Sequence, residues 1–198
     1  MDLRKVTRGI TPETVEAGYR HGIFPMAEMA LGIVTWHRPS VRAIIPVEGF
    51  HIPRSLHRTM NRGGFDVSVD RAFDDVMAAC AARDETWISD EFRRVYGELH
   101  RRGKAHSVEV WVKGALAGGL YGVHLGGAFF AESKFHRVTD MSKVALAHLA
   151  GRLRDRGFAL LEVQYLTPHL AQFGTVEVSH REYMRRLETA LRLSCGFT

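Results

Sequence analysis

The stretch SVEVWVKGALAGGLYGVHLGGAFFAES, residues 107–133, decides the fold. It contains three apolar runs, SVEVWV, LAGGLYGV and GAFFAES, separated by the glycine-containing turns KGA and HLGG. Short apolar runs bounded by turn residues predict three antiparallel strands in a meander. The third run ends with Glu132 and Ser133, and an unpaired carboxylate in a buried strand is strongly destabilising. Glu132 is therefore the first candidate for a functional residue.

Helices and strands are predicted on both sides of this meander. Before it, FDVSV (65–69) reads as a strand, Asp70 is expected to cap one helix, and a second helix follows Ser89. After it, a largely apolar helix runs from Asp140 to Arg156 and should be buried. The strand FALLEVQYL (158–166) comes next, and a last helix begins after Ser179 with a capping box.

The first sixty residues differ in composition from the rest of the chain. Five of the six prolines lie there, so long regular elements are not expected. One short helix is predicted from Thr11 to about Arg20. Further on, Arg54, Arg58 and Arg62 recur every four residues and would form one basic stripe on a helix. We therefore predict a small irregular N-terminal domain at 1–62 and a catalytic domain at 63–198.

The predicted order is strand, two helices, three meandering strands, a buried helix, a strand and a final helix. This succession is typical of an α+β, acetyltransferase-like (GNAT) fold, in which a mixed sheet is flanked by helices. Such a fold binds an activated acyl donor in a cleft between splayed central strands, beside the N-terminus of the buried helix. The fold alone does not identify the donor.

Composition narrows the class of protein. The 198 residues are 45% hydrophobic, and the formal net charge is +5 with a pI near 9.5, which favours an anionic partner such as nucleic acid. Cys80 and Cys195 lie far apart, so neither a disulfide framework nor a cysteine zinc site is predicted. We find no membrane span and no signal peptide, and expect a cytoplasmic monomer.

The eleven histidines do not form a recognisable metal motif. There is no HExxH pair, and His51 with His57 or His100 with His106 lacks the spacing that places two ligands on one helical face. No metal site is predicted.

Two polar residues interrupt the strand LLEVQYL. Strand periodicity places Glu162 and Gln164 on the same side. They either face water on an edge strand or, together with Glu132, converge on one cleft.

Eight motifs then point to one family. They are GYRHGIFPM (18–26), FHIPRSL (50–56), ETWIS (85–89), KAHSVEVW (104–111), GGLYGV (118–123), AESKF (131–135), SKVAL (142–146) and VQYLTPHLAQFG (163–174). In this order they resemble the leucyl/phenylalanyl-tRNA–protein transferase family over nearly the whole chain. The resemblance implies an enzyme that moves leucine or phenylalanine from charged tRNA to proteins beginning with Lys or Arg, with methionine left open as a further donor. This tagging feeds N-end rule degradation and needs no metal or other cofactor.

The resemblance also implies binding residues for the aminoacyl-adenosine. Met26 and Trp87 map to the family's aromatic pair around the adenosine; Met26 lacks the aromatic face, and Trp87 alone would read as core filler. An apolar donor pocket is expected from residues that could individually belong to the core: Leu120, Phe130, Leu146, Leu149 and Leu161.

The family's chemistry maps to Glu162 and Gln164, linked through Thr167. We expect Gln164 to orient the amine and Glu162 to supply negative charge, although glutamate and threonine replace the usual aspartate and asparagine. Glu132 is expected to hold the amine or the ribose. Lys134 replaces a common methionine: it neutralises Glu132 if no bulge intervenes, turns outward, or changes acceptor preference.

Arg54, Arg58 and Arg62 are the predicted contact for the tRNA acceptor stem, unless they are an ordinary solvated helix face.

Two other functions stay open. An acetyl-CoA-dependent N-acetyltransferase would need glycines where Thr139 and Asp140 stand, because its loop amides bind pyrophosphate. A non-catalytic tRNA-binding module would leave the polar cluster without a purpose.

Overall fold

The computed structural model describes residues 3–82 and 86–198. Over these residues the chain forms seven helices and ten strands. The helices are Pro12–Arg20 (α1), Arg54–Arg62 (α2), Phe73–Ala81 (α3), Asp90–Arg101 (α4), Met141–Asp155 (α5), Pro168–Ala171 (α6) and His180–Leu191 (α7). The strands are Leu3–Thr7 (β1), Phe24–Glu28 (β2), Ile33–His37 (β3), Val41–Ile45 (β4), Asp66–Val69 (β5), Ala105–Val112 (β6), Ala115–Leu125 (β7), Ala128–His136 (β8), Leu160–Glu162 (β9) and Val176–Ser179 (β10).

The main sheet has seven strands in the order β10-β4-β9-β8-β7-β6-β5. All its neighbours are antiparallel except β8 and β9, which are parallel. The parallel pairing covers only Ala128–Phe130 against Leu160–Glu162, and beyond it the two strands separate. The predicted meander, the mixed sheet and the splayed centre are therefore confirmed, and with them the acetyltransferase-like α+β fold.

Two apolar layers cover the sheet. One layer contains α1, α3, α4 and α7, and the other contains α5 and part of α2. Because strand side chains alternate, Phe129 enters the layer of α5 while Phe130 enters the opposite layer. Gly118 lets α5 approach closely, since a Cβ there would lie 2.6 Å from the Cβ of Met141.

Several predicted element boundaries are also confirmed. Helix α1 begins after Thr11, whose hydroxyl accepts the Thr14 N–H, and α4 begins after Ser89. Helix α5 is buried along most of its length, as its apolar composition predicted. Ser179 caps α7 by accepting the Glu182 N–H at 3.3 Å.

Three local predictions are wrong. Asp70 does not cap α3, because its carboxylate instead accepts the Ser107 N–H at 2.9 Å and contacts His106 Nδ1 at 2.7 Å. The N-terminal region is not irregular, since β1, β3 and β2 form a three-stranded sheet. The strand predicted at 158–166 is short, because β9 ends at Glu162.

The N-terminal region also contributes to the main sheet. Strand β4 lies between β9 and β10, although it falls within the predicted domain 1–62. The division at residue 62 stays a prediction.

Candidate active site

A cavity of about 610 Å³ opens where β8 and β9 separate. One wall comes from β8, and the others come from the end of α3, the start of α5 and the segment after β9. The wall residues on which the chemistry depends are Trp87, Leu120, Glu132, Lys134, Leu146, Val163, Gln164, His169 and Leu170. The cavity therefore combines an apolar surface with a few polar groups, as ligand sites commonly do.

Glu132 reaches the cavity through a β-bulge. Tyr121 pairs with Ser133 and Gly122 pairs with Ala131, so Glu132 is the extra residue between them on β8. A bulge re-aims side chains and is common beside active sites.

Three donors hold the Glu132 carboxylate. The Tyr19 hydroxyl donates to Oε1, the Tyr96 hydroxyl donates to Oε2 at 3.3 Å, and the Gln164 amide donates to Oε1 at 3.4 Å. Burial raises the pKa of Glu132 to about 8, against the lowering effect of the Tyr19 hydrogen bond. The carboxyl group thus changes charge near neutral pH.

Lys134 also lines the cavity, on the far side of the bulge. The pKa of His169 is lowered mainly by burial and, to a smaller extent, by the positive charge of Lys134. The bulge breaks the alternation that would place Lys134 on the same strand face as Glu132.

Gln164 lies beyond the end of β9 in the left-handed backbone region, with φ at 64°. This conformation is uncommon for a residue other than glycine. It turns the side chain away from regular strand alternation, and the amide reaches Glu132. The predicted meeting of Glu132 and Gln164 therefore depends on an irregular backbone rather than on strand periodicity.

Glu162 is fully buried and does not line the cavity. Its Oε1 atom accepts hydrogen bonds from Arg42 Nη2 at 2.8 Å and from the Gln164 N–H at 2.6 Å. Burial raises the pKa of Glu162, an effect that the charge of Arg42 opposes. Oε2 has no hydrogen-bond partner among the described residues. Glu162 thus contacts the back of the site.

The predicted apolar residues divide into two groups. Leu120 and Leu146 line the cavity. Phe130 lies in the core, where its ring centroid is 4.5 Å from that of Tyr19, and Leu149 and Leu161 are buried in the layer of α5. These last three support the wall from behind.

The remaining predicted residues occupy separate places. Trp87 is half-buried on the cavity wall, and its ring meets Phe92 edge-on at 5.6 Å. Met26 lies on β2, half-buried against the core and away from the cavity wall. Thr167 is exposed and caps α6 by accepting the Leu170 N–H at 3.2 Å.

The three arginines of α2 point to solvent, as the predicted stripe requires, while Leu56 faces the core. In the part of the chain that the structure describes, none of the three has an ion-pair partner. Thr59 donates to the Asp140 carboxylate at 3.1 Å, which holds α2 against the N-terminus of α5.

Sequence reasoning missed three residues of the site: Tyr19, Tyr96 and Arg42. Tyr19 is part of the quoted motif GYRHGIFPM, and Tyr96 lies within the helix predicted after Ser89. Arg42 stands directly before the apolar run AIIP, and a cation at that place was an available signal.

The described residues contain no group of three or more His, Cys, Asp or Glu side chains that could hold a metal ion. Within residues 3–82 and 86–198, no helix has the length and apolar character needed to cross a membrane.

The fold and the cavity together define a group-transfer enzyme of acetyltransferase-like architecture. Family models for leucyl/phenylalanyl-tRNA protein transferase match residues 44–188, and residues 8–40 match the model for its N-terminal domain. The chain belongs to the leucyl/phenylalanyl-tRNA protein transferase family, which confirms the prediction from the motifs.

Curated relatives named leucyl/phenylalanyl-tRNA–protein transferase match almost the full chain. The Ruegeria pomeroyi relative is 53% identical over 95% of this chain and 90% of its own length. The Salinibacter ruber relative is 51% identical over 93% and 82%, and the Herpetosiphon aurantiacus relative is 49% identical over 97% and 100%.

Solved structures are more distant. A ribosomal-protein-alanine N-acetyltransferase from Brucella melitensis is 17% identical, with a TM-score of 0.41 over 56% of this chain and 85% of that chain. L-PGS from Bacillus licheniformis is 12% identical, with a TM-score of 0.44 over 92% and 64%.

Proposed function

We propose that this chain transfers leucine or phenylalanine from charged tRNA to the N-terminal amine of proteins that begin with Lys or Arg. The observation that carries the proposal is one cavity with an apolar wall beside a hydrogen-bonded carboxylate. An aminoacyl ester is already activated, so the enzyme must mainly hold it and deliver a neutral amine.

The donor side chain is assigned to the apolar wall of Leu120, Leu146, Val163 and Leu170. Phe130, Leu149 and Leu161 keep that wall rigid from behind. A pocket of this kind accepts leucine, phenylalanine and methionine and separates them weakly, since a methylene is worth only about 1–3 kcal/mol. Trp87 offers its indole face to the terminal adenine.

Glu132 is the assigned proton acceptor. The amine nitrogen attacks the ester carbonyl carbon, Glu132 takes a proton from that nitrogen, and the proton passes to the ribose oxygen as the C–O bond breaks. The pKa of Glu132, raised to about 8 by burial, lies close to the roughly 7.7–8.0 of a free α-amine. Both groups therefore reach their reactive forms, the carboxylate and the neutral amine, over the same pH range.

Gln164 is assigned to orient the amine. Its amide nitrogen is occupied by Glu132, which leaves the amide oxygen to accept a hydrogen bond from the incoming nitrogen. Thr167, at the start of α6, supports the segment that follows Gln164.

Acceptor choice is assigned to Glu132 and Lys134. Once ionised, the Glu132 carboxylate attracts a basic N-terminal residue, whereas the Lys134 ammonium on the same cavity wall repels it. We therefore infer that the basic side chain extends away from Lys134, and that Lys134 weakens the preference for Arg and Lys.

The tRNA is assigned to the α2 stripe of Arg54, Arg58 and Arg62. This stripe is free of ion-pair partners among the described residues and lies on a helix anchored beside the cavity through Thr59. Phosphate contacts carry no sequence information, which suits an enzyme that uses more than one tRNA. Because the substrate is charged tRNA, we propose that the reaction takes place in the cytoplasm. We also propose a monomer, because one chain supplies all the residues assigned to the site.

The two alternatives fit the site less well. Asp140 occupies the N-cap position of α5, where an acetyltransferase would bind pyrophosphate, and its carboxylate would repel that anion. A binding module would gain nothing from a carboxylate buried at a cavity wall at a cost in stability.

The test combines donors and acceptors. Leucyl-, phenylalanyl- and methionyl-tRNA are each presented with peptides that begin with Arg, Lys, Asp or Glu, and labelled acetyl-CoA is run beside them. We expect transfer from the charged tRNAs to the Arg and Lys peptides and its loss in Glu132→Gln, but not in the exposed control Glu177→Gln. Labelling from acetyl-CoA alone would overturn the proposal.

A further inference from the structure

Arg42 is a fully buried cation that lies outside the cavity wall. Its guanidinium donates to Glu162 Oε1 from Nε at 3.1 Å and from Nη2 at 2.8 Å, and Nη1 donates to the Gly22 carbonyl at 2.9 Å. The rings of Phe24 and Tyr183 lie at 4.9 and 4.4 Å. A buried ion pair is weak evidence for stability alone, so its position deserves a functional explanation.

The partner of Arg42 holds the backbone of Gln164. The same Glu162 oxygen that binds Arg42 accepts the Gln164 N–H at 2.6 Å. On the other side, the Ala43 N–H donates to the Gln164 carbonyl at 3.1 Å. Two consecutive residues of β4 therefore act on Gln164, one directly and one through Glu162. They hold it in a left-handed conformation that would otherwise be unfavourable.

Arg42 also reaches the other support of the site. Gly22 follows α1, and α1 carries Tyr19, whose hydroxyl binds Glu132. One guanidinium thus connects the segment that holds Glu132 with the segment that holds Gln164.

We propose that Arg42 is a positioning residue for aminoacyl transfer: through Glu162 it fixes the Gln164 backbone so that the Gln164 amide meets Glu132. This inference rests on the proposed function. Its specific content is that residue 162 must be an oriented hydrogen-bond acceptor for the Gln164 N–H, and that its negative charge is not itself required by the reaction.

A pair of double variants separates these roles. Arg42→Met/Glu162→Gln removes both buried charges and keeps an acceptor at 162, whereas Arg42→Met/Glu162→Met removes the charges and the acceptor. Because neither leaves a charge unpaired, both should fold with similar Tm values. We expect kcat to fall by roughly tenfold in the first, which keeps the acceptor at 162 but loses the guanidinium that orients it. In the second, kcat should fall by at least about 100-fold, the usual effect of a misplaced reacting group. KM for aminoacyl-tRNA should change less than about threefold.

The matched control is Arg152→Met. Arg152 also donates to a backbone carbonyl, that of Phe197 at 2.6 Å, and also lies over an aromatic ring, at 5.2 Å, but it is remote from the cavity. We expect this control to keep full activity. Equal activity of the two double variants, or activity that simply follows Tm, would overturn the inference.

A measurement without catalysis keeps the two proposals distinguishable. Gln164 and Gln172 are the two glutamines of the chain, so selective labelling with ¹⁵N-glutamine gives two backbone amide signals. The short bond to a carboxylate should shift the Gln164 proton downfield, and this shift should disappear in Arg42→Met/Glu162→Met. The shift can be present in a protein that transfers no amino acid, in which case the proposed function fails and the positioning geometry stands.

Should the double variants not fold, Arg42→Lys decides the question. One ammonium keeps the charge but cannot reproduce the fork between Glu162 and Gly22. We expect a moved Gln164 signal and a lower kcat at nearly unchanged Tm. A signal and a kcat identical to those of the unmodified chain would refute the positioning role.

Discussion

Replacing Glu132 with glutamine should change how the stability of the protein depends on pH. The Glu132 carboxyl has a pKa of about 8 in the folded chain against its ordinary value of 4.5, because burial disfavours the charged form. Between these two values the folded state binds more protons than the unfolded state. Wild-type stability therefore falls as pH rises through this window, and the loss is complete above about pH 8.

The size of the effect follows from the width of that window. At about 1.36 kcal/mol for each pKa unit, the loss between pH 4.5 and pH 8 amounts to about 5 kcal/mol. Glutamine has nearly the same shape and no charge to bury. The stability advantage of Glu132→Gln should therefore grow from near zero at pH 4.5 to about 5 kcal/mol at pH 8.

Other groups titrate in the same range and must be subtracted. His37, His124, His148 and His169 have pKa values lowered mainly by burial, so each makes wild-type stability rise with pH near neutrality. The same residues are present in Glu132→Gln. The difference between the two proteins at each pH therefore isolates Glu132.

The assay is urea unfolding of both proteins at half-unit steps from pH 4.5 to 8.5, with the exposed Glu177→Gln as control. The control should follow wild type throughout. A difference between Glu132→Gln and wild type that stays constant within about 1 kcal/mol over this range would refute the buried-carboxylate reasoning.

Three further predictions concern substrates. Trp87→Ala should raise KM for aminoacyl-tRNA by about 5- to 150-fold through lost stacking on adenine, measured by steady-state transfer at matched Tm; an unchanged KM would remove Trp87 from the adenosine site. Lys134→Met should raise kcat/KM for an Arg-peptide by roughly 3- to 10-fold, because about 1 kcal/mol of like-charge repulsion is removed, and leave a neutral-peptide control unchanged. The triple variant Arg54→Gln/Arg58→Gln/Arg62→Gln should bind tRNA with a weaker salt dependence: the slope of log K against log salt concentration should fall by about 0.9 for each lost phosphate contact. An unchanged slope would place the tRNA elsewhere.

The parts of the fold that were predictable depend on local sequence. The meander follows from apolar runs and turn glycines between 107 and 133, and the starts of α1 and α4 follow from Thr11 and Ser89 as caps. Turn glycines and helix caps act on backbone groups only a few residues away in the sequence.

The parts that were not predictable depend on residues far away in sequence. Strand β9 ends at Glu162, and Gln164 adopts a left-handed conformation that is held through Arg42 on another strand. The bulge at Glu132 has no local marker, since the stretch FFAESKF (129–135) contains no glycine or proline. Asp70 looked like a helix cap from its local sequence, whereas its partners, the Ser107 N–H and His106 Nδ1, lie on β6, which follows much later.

The sequence predicted which polar residues belong to the candidate site better than it predicted how their side chains are arranged. Glu132 and Gln164 do meet, but Tyr19 and Tyr96 supply the contacts that make a buried carboxylate tolerable. Glu162 was expected in the cleft because strand periodicity places it beside Gln164. The buried Arg42 instead holds it behind the wall.

The order in which these partners occur along the chain matters for biosynthesis. Tyr19 and Arg42 leave the ribosome early. Their partners, Glu132 for Tyr19 and Glu162 for Arg42, follow only when most of the polypeptide has been made. Tyr183, which packs on Arg42, is synthesised later still. A nascent or truncated chain that stops before residue 162 therefore has no assembled transfer centre. Premature termination products that lack residue 162 should therefore transfer no amino acid, even where the α2 stripe is present.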